Sequence, residues 1–172
     1  MTTGPTTFLT IPSPVGDLVI AATGDAISGV YFATSRQDPP PLAGWTPDDG
    51  RGAASMLLAR ARDELGEYFD GTRTRFDLPL APAGSVFERR VWDLLREIPY
   101  GTTTTYGALA RRLGDPRASR AVGAANGRNP IPIIVPCHRV VGARGELTGF
   151  GGGIACKRWL LEHEGALIPL GA

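Results

Sequence analysis

A chain of 172 residues, 42% of them apolar, can bury a core without cross-links, and two cysteines do not make a disulfide framework, so a reduced, cytoplasmic protein is expected. The first fourteen residues show neither the basic start nor the apolar stretch of a signal peptide, and no apolar run approaches the ~20 residues of a membrane helix, so neither export nor membrane insertion is expected. The net charge of +1 conceals an asymmetry. Residues 1–84 carry six arginines against ten acidic residues, whereas residues 85–172 carry twelve basic residues against seven acidic ones, so the second half is the one suited to a polyanion.

In chain order, Thr7–Ile11, Leu18–Ala22 and Ile27–Phe32 read as strands. Turns at Ser13-Pro14-Val15-Gly16 and Thr23-Gly24-Asp25 join them into an antiparallel meander. Residues 37–52, rich in Pro, Asp and Gly, read as a loop. Met56, Leu57, Ala61, Leu65 and Tyr68 recur at helical spacing and predict an amphipathic helix over Ala53–Phe69, stopped by Gly71. Phe76–Leu80 alternates like the end of a strand, and Ala81-Pro82-Ala83-Gly84 reads as a linker where the charge changes sign. The expected domains are therefore residues 1–80 and 85–172.

The second half opens on a capping box, Ser85 followed by Glu88, and the helix it starts runs through Val91, Trp92, Leu94 and Leu95 to stop before Pro99. Thr102–Thr105 caps a short helix, Tyr106–Leu113, closed by Gly114. Asp115 and Pro116 start another, ending near Asn126 or Gly127. Two short helices separated by Gly114-Asp115 make a helix-turn-helix candidate. Val140-Val141 and Glu146-Leu147-Thr148 flank a turn and predict a hairpin wing, and Ile154–Glu164 is a last helix ended by Gly165. In the second helix of the pair, Ala118, Ser119, Ala121, Gly123, Ala124 and Ala125 are small, while Arg117, Arg120 and Arg128 are long and cationic. Tight helix packing explains the small residues. It does not explain the arginines among them, whereas a nucleic-acid backbone explains both.

Between these elements, Asn129–Val141 holds one of two cysteines beside one of two histidines, Cys137 and His138, after three prolines in seven residues. Proline fixes φ and removes a donor, so the stretch reads as a stiff, extended, buried segment that delivers Cys137 to one place. Cys137 could be only a small core residue. In an extended segment Cys137 and His138 point to opposite faces, so their contact would need a turn or a bridging water. A thiol nucleophile needs a base and the base an orienting carboxylate, for which Glu164, set three and four residues beyond Leu161 and Leu160, is a candidate. Cys137, His138, Cys156 and His163 lack the paired spacing of a structural zinc site, so no metal is expected. Walker A and Rossmann patterns are missing as well.

Pro136-Cys137-His138-Arg139-Val140 resembles the active-site signature of the O6-alkylguanine-DNA alkyltransferases, also called methylated-DNA–protein-cysteine methyltransferases. Ile98-Pro99-Tyr100-Gly101, Tyr106-Gly107, Ser119-Arg120-Ala121-Val122-Gly123, Asn129-Pro130, Gly151-Gly152 and Trp159-Leu160-Leu161 with Glu164 follow in the family's order and spacing. The likeness is specific from about Phe87 to Gly165, and general in the first half. It implies an α+β fold: an antiparallel sheet with a helix (ribonuclease H-like), then a winged helix-turn-helix domain. It implies direct reversal of damage, in which O6-alkylguanine, and also O4-alkylthymine, is flipped from duplex DNA and its alkyl group passes irreversibly to Cys137 in one turnover.

By the same resemblance His138 is a water-mediated base, Glu164 orients it, and Asn129 braces the loop. Tyr106 moves the target phosphate and donates to the leaving guanine. Arg120 fills the vacated stack, and Ser119, Ala121, Gly123, Ala124 and Arg128 meet the DNA. Val135, Phe150 and Gly151 line the pocket, with backbone groups around Val135 and Gly151 contacting the base edge. Phe150 stands where a tyrosine is common, and Gly151 where some members carry a hydroxyl, which implies a roomier pocket. No cofactor is implied. The implied partner is duplex DNA entered through the minor groove, by a protein that is a monomer in solution and could bind cooperatively along DNA. Two other classes remain open on the residues: a winged-helix lesion sensor with an inert cysteine, and a thiol hydrolase with multiple turnovers.

Overall fold

The computed structural model describes residues 4–35 and 40–169; the part of the expected 37–52 loop before Pro40 lies outside them. The chain divides into two compact units, residues 1–83 and 84–172.

In the first unit, β1 (Thr6–Ile11), β2 (Leu18–Thr23) and β3 (Ala26–Phe32) form the antiparallel meander that short strand-like runs joined by turn residues predict. β2 lies between the other two and is buried at every position from Leu18 to Ala22. The loop reading of residues 40–52 misses a short strand, β4 (Thr46–Pro47), which pairs parallel to β1 at the sheet edge. A two-residue edge strand containing proline leaves almost no periodicity to read. Helix α1 (Gly52–Phe69) packs against β1, β2 and β3. Its buried face is Leu57, Leu58, Ala61, Leu65 and Tyr68. Met56, expected on that face, is 73% exposed, because it sits about 100° of helical rotation from Leu57. The helix ends in a Schellman motif, with Thr72 N–H donating to Glu67 O and Gly71 N–H to Tyr68 O, and Gly71 supplies the positive φ of 80°. Phe76–Leu80 is not a strand. Its end meets β3 in an isolated bridge, Ile27 N–H donating to Pro79 O (2.8 Å) and Ala81 N–H to Ile27 O (2.9 Å).

In the second unit, α2 (Val86–Arg96) starts at the expected capping box: Glu88 N–H donates to Ser85 Oγ and Ser85 N–H to Glu88 Oε2. Val91, Trp92 and Leu95 are buried, and Trp92 Nε1 donates to Ala125 O at 2.8 Å. This bond ties α2 to α4 (Ser119–Gly127). Helix α3 (Tyr106–Arg112) is capped by Thr105, whose hydroxyl accepts from Ala108 N–H, and closed by Gly114 in a second Schellman motif. Asp115 caps the next turn and Pro116 opens it as read, but Pro116–Ala118 is a 3-10 turn and the α-helix begins only at Ser119. Helix α5 (Ile154–His163) closes the unit.

Two expectations fail between α4 and α5. The wing is not a hairpin of Val140-Val141 with residues 146–148. Instead β6 (Val140–Val141) pairs parallel with β5 (Thr104–Thr105), and only the turn survives, with Gly142 N–H donating to Glu146 O at 2.9 Å. Nor is residues 129–136 extended. The segment is buried as expected, but it folds into tight turns: Val135 N–H donates to Ile131 O at 2.9 Å, and Ile133 takes a left-handed φ of 73°, an uncommon and strained conformation for a β-branched residue. Three prolines limit the donors available to a strand, and the chain satisfies the remaining groups locally.

Candidate functional site

The turns of residues 129–136 are pinned from within. Asn129 Nδ2 donates to Val135 O at 2.8 Å, and Asn129 Oδ1 accepts from Ile131 N–H at 3.0 Å, so one buried amide closes both ends of the loop. The chain then enters a 3-10 turn, Cys137–Arg139, fully buried at all three positions. Three residues per turn send neighbouring side chains about 120° apart, so Cys137 and His138 leave the turn in different directions.

His138 and Arg139 converge on Glu164. Its position at the C-cap of α5, where a carboxylate opposes the helix dipole, is offset by these partners. The His138 Nε2–Glu164 Oε1 distance is 2.7 Å; Arg139 donates Nε to Oε2 at 2.8 Å and Nη2 to Oε1 at 2.9 Å. Gly101 N–H lies 3.4 Å from Oε2. Gly101 must be glycine: its φ is +77°, and a Cβ there would stand 2.9 Å from Glu164 O. Arg139 Nη1 also donates to Ile98 O at 2.7 Å, and the guanidinium lies over Tyr100. Burial alone would raise the Glu164 carboxyl, but hydrogen bonds from His138 and Arg139, and their charges, outweigh it and bring it down to about 2. Burial pushes His138 the other way for a base, below its ordinary value, against the pull of Glu164. The resting pair is thus carboxylate and neutral imidazole. Nε2 faces the carboxylate and so carries the ring proton, while Nδ1 is buried with no partner.

Burial raises the Cys137 thiol to about 11; the Asn129 amide, the Lys157 charge and the backbone N–H groups of Cys137 and His138 oppose this. A thiol at that value is almost wholly protonated near neutral pH, so reaction requires a proton acceptor. Phe150 lies edge-on to the His138 ring, 6.5 Å between centroids. Gly151 is exposed beside it. Val135 is 1% exposed, and its backbone is committed: the N–H donates to Ile131 O, and the carbonyl accepts from both Asn129 Nδ2 and Cys137 N–H. This leaves no open group there for a base edge.

The exposed face of α4 gathers the remaining candidates. Arg120, Ala121 and Ala124 are exposed, and Ser119 and Gly123 half-buried. The ring of Tyr106 rests beside Gly123, where a Cβ would meet it at 3.7 Å. Arg128 is exposed but paired to Glu88 at 3.1 Å. His163 stacks on Trp159, 4.8 Å between centroids.

With this geometry in view, the comparisons are decisive. The model of the 6-O-methylguanine DNA methyltransferase ribonuclease-like domain matches residues 8–82, and that of the family's DNA binding domain matches residues 86–166. The chain belongs to this family. The methylated-DNA–protein-cysteine methyltransferase of Mycobacterium tuberculosis is 47% identical over 162 residues, 94% of each chain. That of Methanosarcina acetivorans is 43% identical over 154 residues, 90% of this chain and 95% of the relative. Among solved structures, the Mycobacterium tuberculosis O6-methylguanine methyltransferase superposes with a TM-score of 0.84 at 46% identity, covering 95% of each chain. A second structure of the mycobacterial protein, in complex with DNA, gives 0.83 at 46% identity over 93% of each chain.

The mixed α+β fold expected of a methyltransferase of this family is the one observed. Reading by residue type did miss three participants in the site. Arg139, in sequence only a member of the Pro136–Val140 motif, is Glu164's bidentate partner. Lys157, 0% exposed, donates to Val140 O (2.6 Å) and Thr148 O (2.8 Å). Asn126, on α4, donates to Cys137 O at 3.4 Å. A lysine and an arginine inside a basic half look like solvent charges in sequence; the available hint was their place among apolar neighbours, Cys156 before Lys157 and Val140-Val141 after Arg139.

The buried pair makes stability pH-dependent. Glu164 lies below its unfolded value of 4.5, so its contribution is complete above that pH and is lost as pH falls toward about 2. His138 lies below its unfolded value of 6.5, so the unfolded chain binds the extra proton first and stability begins to fall below that pH. Urea unfolding measured from pH 7 to pH 2 is expected to show both declines, with the lower one missing in Glu164→Gln, which is less stable than wild type at neutral pH because Arg139 loses its charged partner. An equally steep acid decline in the variant would exclude Glu164 as the source.

Proposed function

We propose that the protein repairs O6-alkylguanine in duplex DNA by taking the alkyl group onto Cys137. The observation that carries this reading is a buried thiol followed by a neutral imidazole whose Nδ1 is unpartnered while its Nε2 is held by an ionised carboxylate. His138 Nδ1 accepts the Cys137 proton through one bridging water, and the imidazolium formed is stabilised by Glu164. The Sγ–carbon bond forms as the carbon–O6 bond breaks, and the electron pair goes to the guanine, which leaves with a proton from a nearby donor. Tyr106 is that donor, and it turns the target phosphate. S-alkylcysteine does not release its alkyl group, so each molecule acts once.

Burial supports base flipping. A thiol only 4% exposed is reached by a base taken out of the stack, not by one within it. Arg120 projects from the small-residue face of α4, where Ser119, Ala121, Gly123 and Ala124 allow close backbone approach in the minor groove, and it fills the vacated space. Arg128 joins the DNA face on release from Glu88. Asn129 keeps the thiol-bearing loop rigid, and Phe150 and Gly151 border the pocket. O4-alkylthymine falls in the same reading, since it too carries its alkyl group on an exocyclic oxygen. The protein acts as a monomer in the cytoplasm, where free thiols persist; among the described residues no helix is long and apolar enough to cross a membrane. The segment 81–84 is proposed as the linker between the domains.

Incubation with a duplex containing O6-methylguanine is expected to add one methyl, about 14 Da, to Cys137 at a stoichiometry of one. Binding without an adduct, an adduct on Cys156, or repair by Cys137→Ser would each refute the assignment. Arg120→Ala is expected to slow duplex repair by about tenfold or more while changing the reaction with free O6-benzylguanine little, because only the first requires a gap in the stack to be filled. Equal slowing in both assays would remove the intercalating role.

A further inference from the structure

We propose that Thr148 is a positioning residue for alkyl transfer, acting through Tyr106; this rests on the function argued above. Thr148 lies in the irregular segment between β6 and α5 and is exposed. Its Oγ1 is 2.8 Å from the Tyr106 hydroxyl, on the far side of a 42-residue separation. Its carbonyl accepts Lys157 Nζ at 2.8 Å, and the same ammonium donates to Val140 O at 2.6 Å. Val140 is the C-cap of the turn that carries Cys137. One buried cation therefore fixes the Thr148 backbone to the nucleophile's turn, and one exposed hydroxyl carries that fixed point to Tyr106.

This arrangement restricts the phenol from two sides. The ring rests beside Gly123 of α4, and the hydroxyl end is held by Thr148. A hydroxyl has one proton and two lone pairs. When Thr148 donates to the Tyr106 oxygen, the phenol proton is left to point away, toward a phosphate or a departing base. Valine at 148 would keep the shape and the backbone bonds to Lys157 and remove only this hydroxyl.

The test measures second-order rate constants for adduct formation on Cys137, with O6-methylguanine in duplex DNA, for wild type, T148V, T148S, Y106F and the Y106F/T148V double variant. T148V is expected to be slower by about threefold to tenfold, the effect of one hydrogen bond. T148S is expected to stay within about twofold of wild type, and T148V to cause no further loss in the Y106F background. An unchanged T148V, a T148S as slow as T148V, or the same fractional loss in the Y106F background overturns the proposal, the last because it would mark a general structural effect. Absence of an adduct in wild type overturns the parent reading and this one together; a normal wild type with an unaffected T148V overturns this one alone.

Discussion

A carboxylate taken out of water at the end of a helix is the constraint on which the second unit is built. Glu164 is 6% exposed, and an ionised carboxylate in that position is stable only with its oxygens bonded. Its partners come from separate parts of the chain: His138 and Arg139 from the 3-10 turn, and Gly101 N–H from the turn before β5. Arg139 extends the cluster to Ile98 at the end of α2. Meeting the needs of one charge thus registers four segments against one another. It also explains why a Cβ cannot be accommodated at Gly101, and why an acidic residue is retained where the helix dipole disfavours it.

The same constraint governs reactivity. Burial, helped by the Arg139 and Lys157 charges and against the pull of Glu164, keeps the His138 imidazole uncharged, with its basic atom Nδ1 open. The thiol, pushed up to about 11, is quiet toward passing electrophiles. An exposed, low-pKa cysteine would react faster but indiscriminately. Enclosure, a neutral imidazole and an Asn129-braced loop together leave the thiol open, in the proposed reaction, to a substrate that brings its carbon to the sulfur.

Much of this was legible in the residues, for reasons that differ by element. Ser85/Glu88, Thr105 and Asp115 marked helix starts because capping is local chemistry. Gly71, Gly114 and Gly165 marked ends because a left-handed residue is needed there. β1 to β3 could be read as short strand-like runs bounded by Pro and Gly turns. What escaped depended on distant partners. β5 pairs with β6 in parallel across 36 residues and has two residues of its own, so no periodicity announces it, and Val140-Val141 was assigned to the wrong strand partner. The three prolines were read as extension; the fold uses them in turns, because Asn129 supplies the hydrogen bonds a strand would have supplied. Cys137, His138 and Glu164 could be named from a resemblance, but the ionisation of the cluster could not, since it depends on burial and on bonds that His138 and Arg139 make to Glu164 across 26 and 25 residues.

The central claim is that His138 rests neutral with its proton on Nε2 and Nδ1 bare. Nitrogen-15 chemical shifts of the His138 ring, measured in the unreacted protein near neutral pH, test it directly. The account predicts a protonated Nε2 and an unprotonated Nδ1, unchanged until the pH is well below that of an ordinary histidine. A proton on Nδ1, or an imidazolium at neutral pH, would leave the proposed reaction without its base and contradict the account.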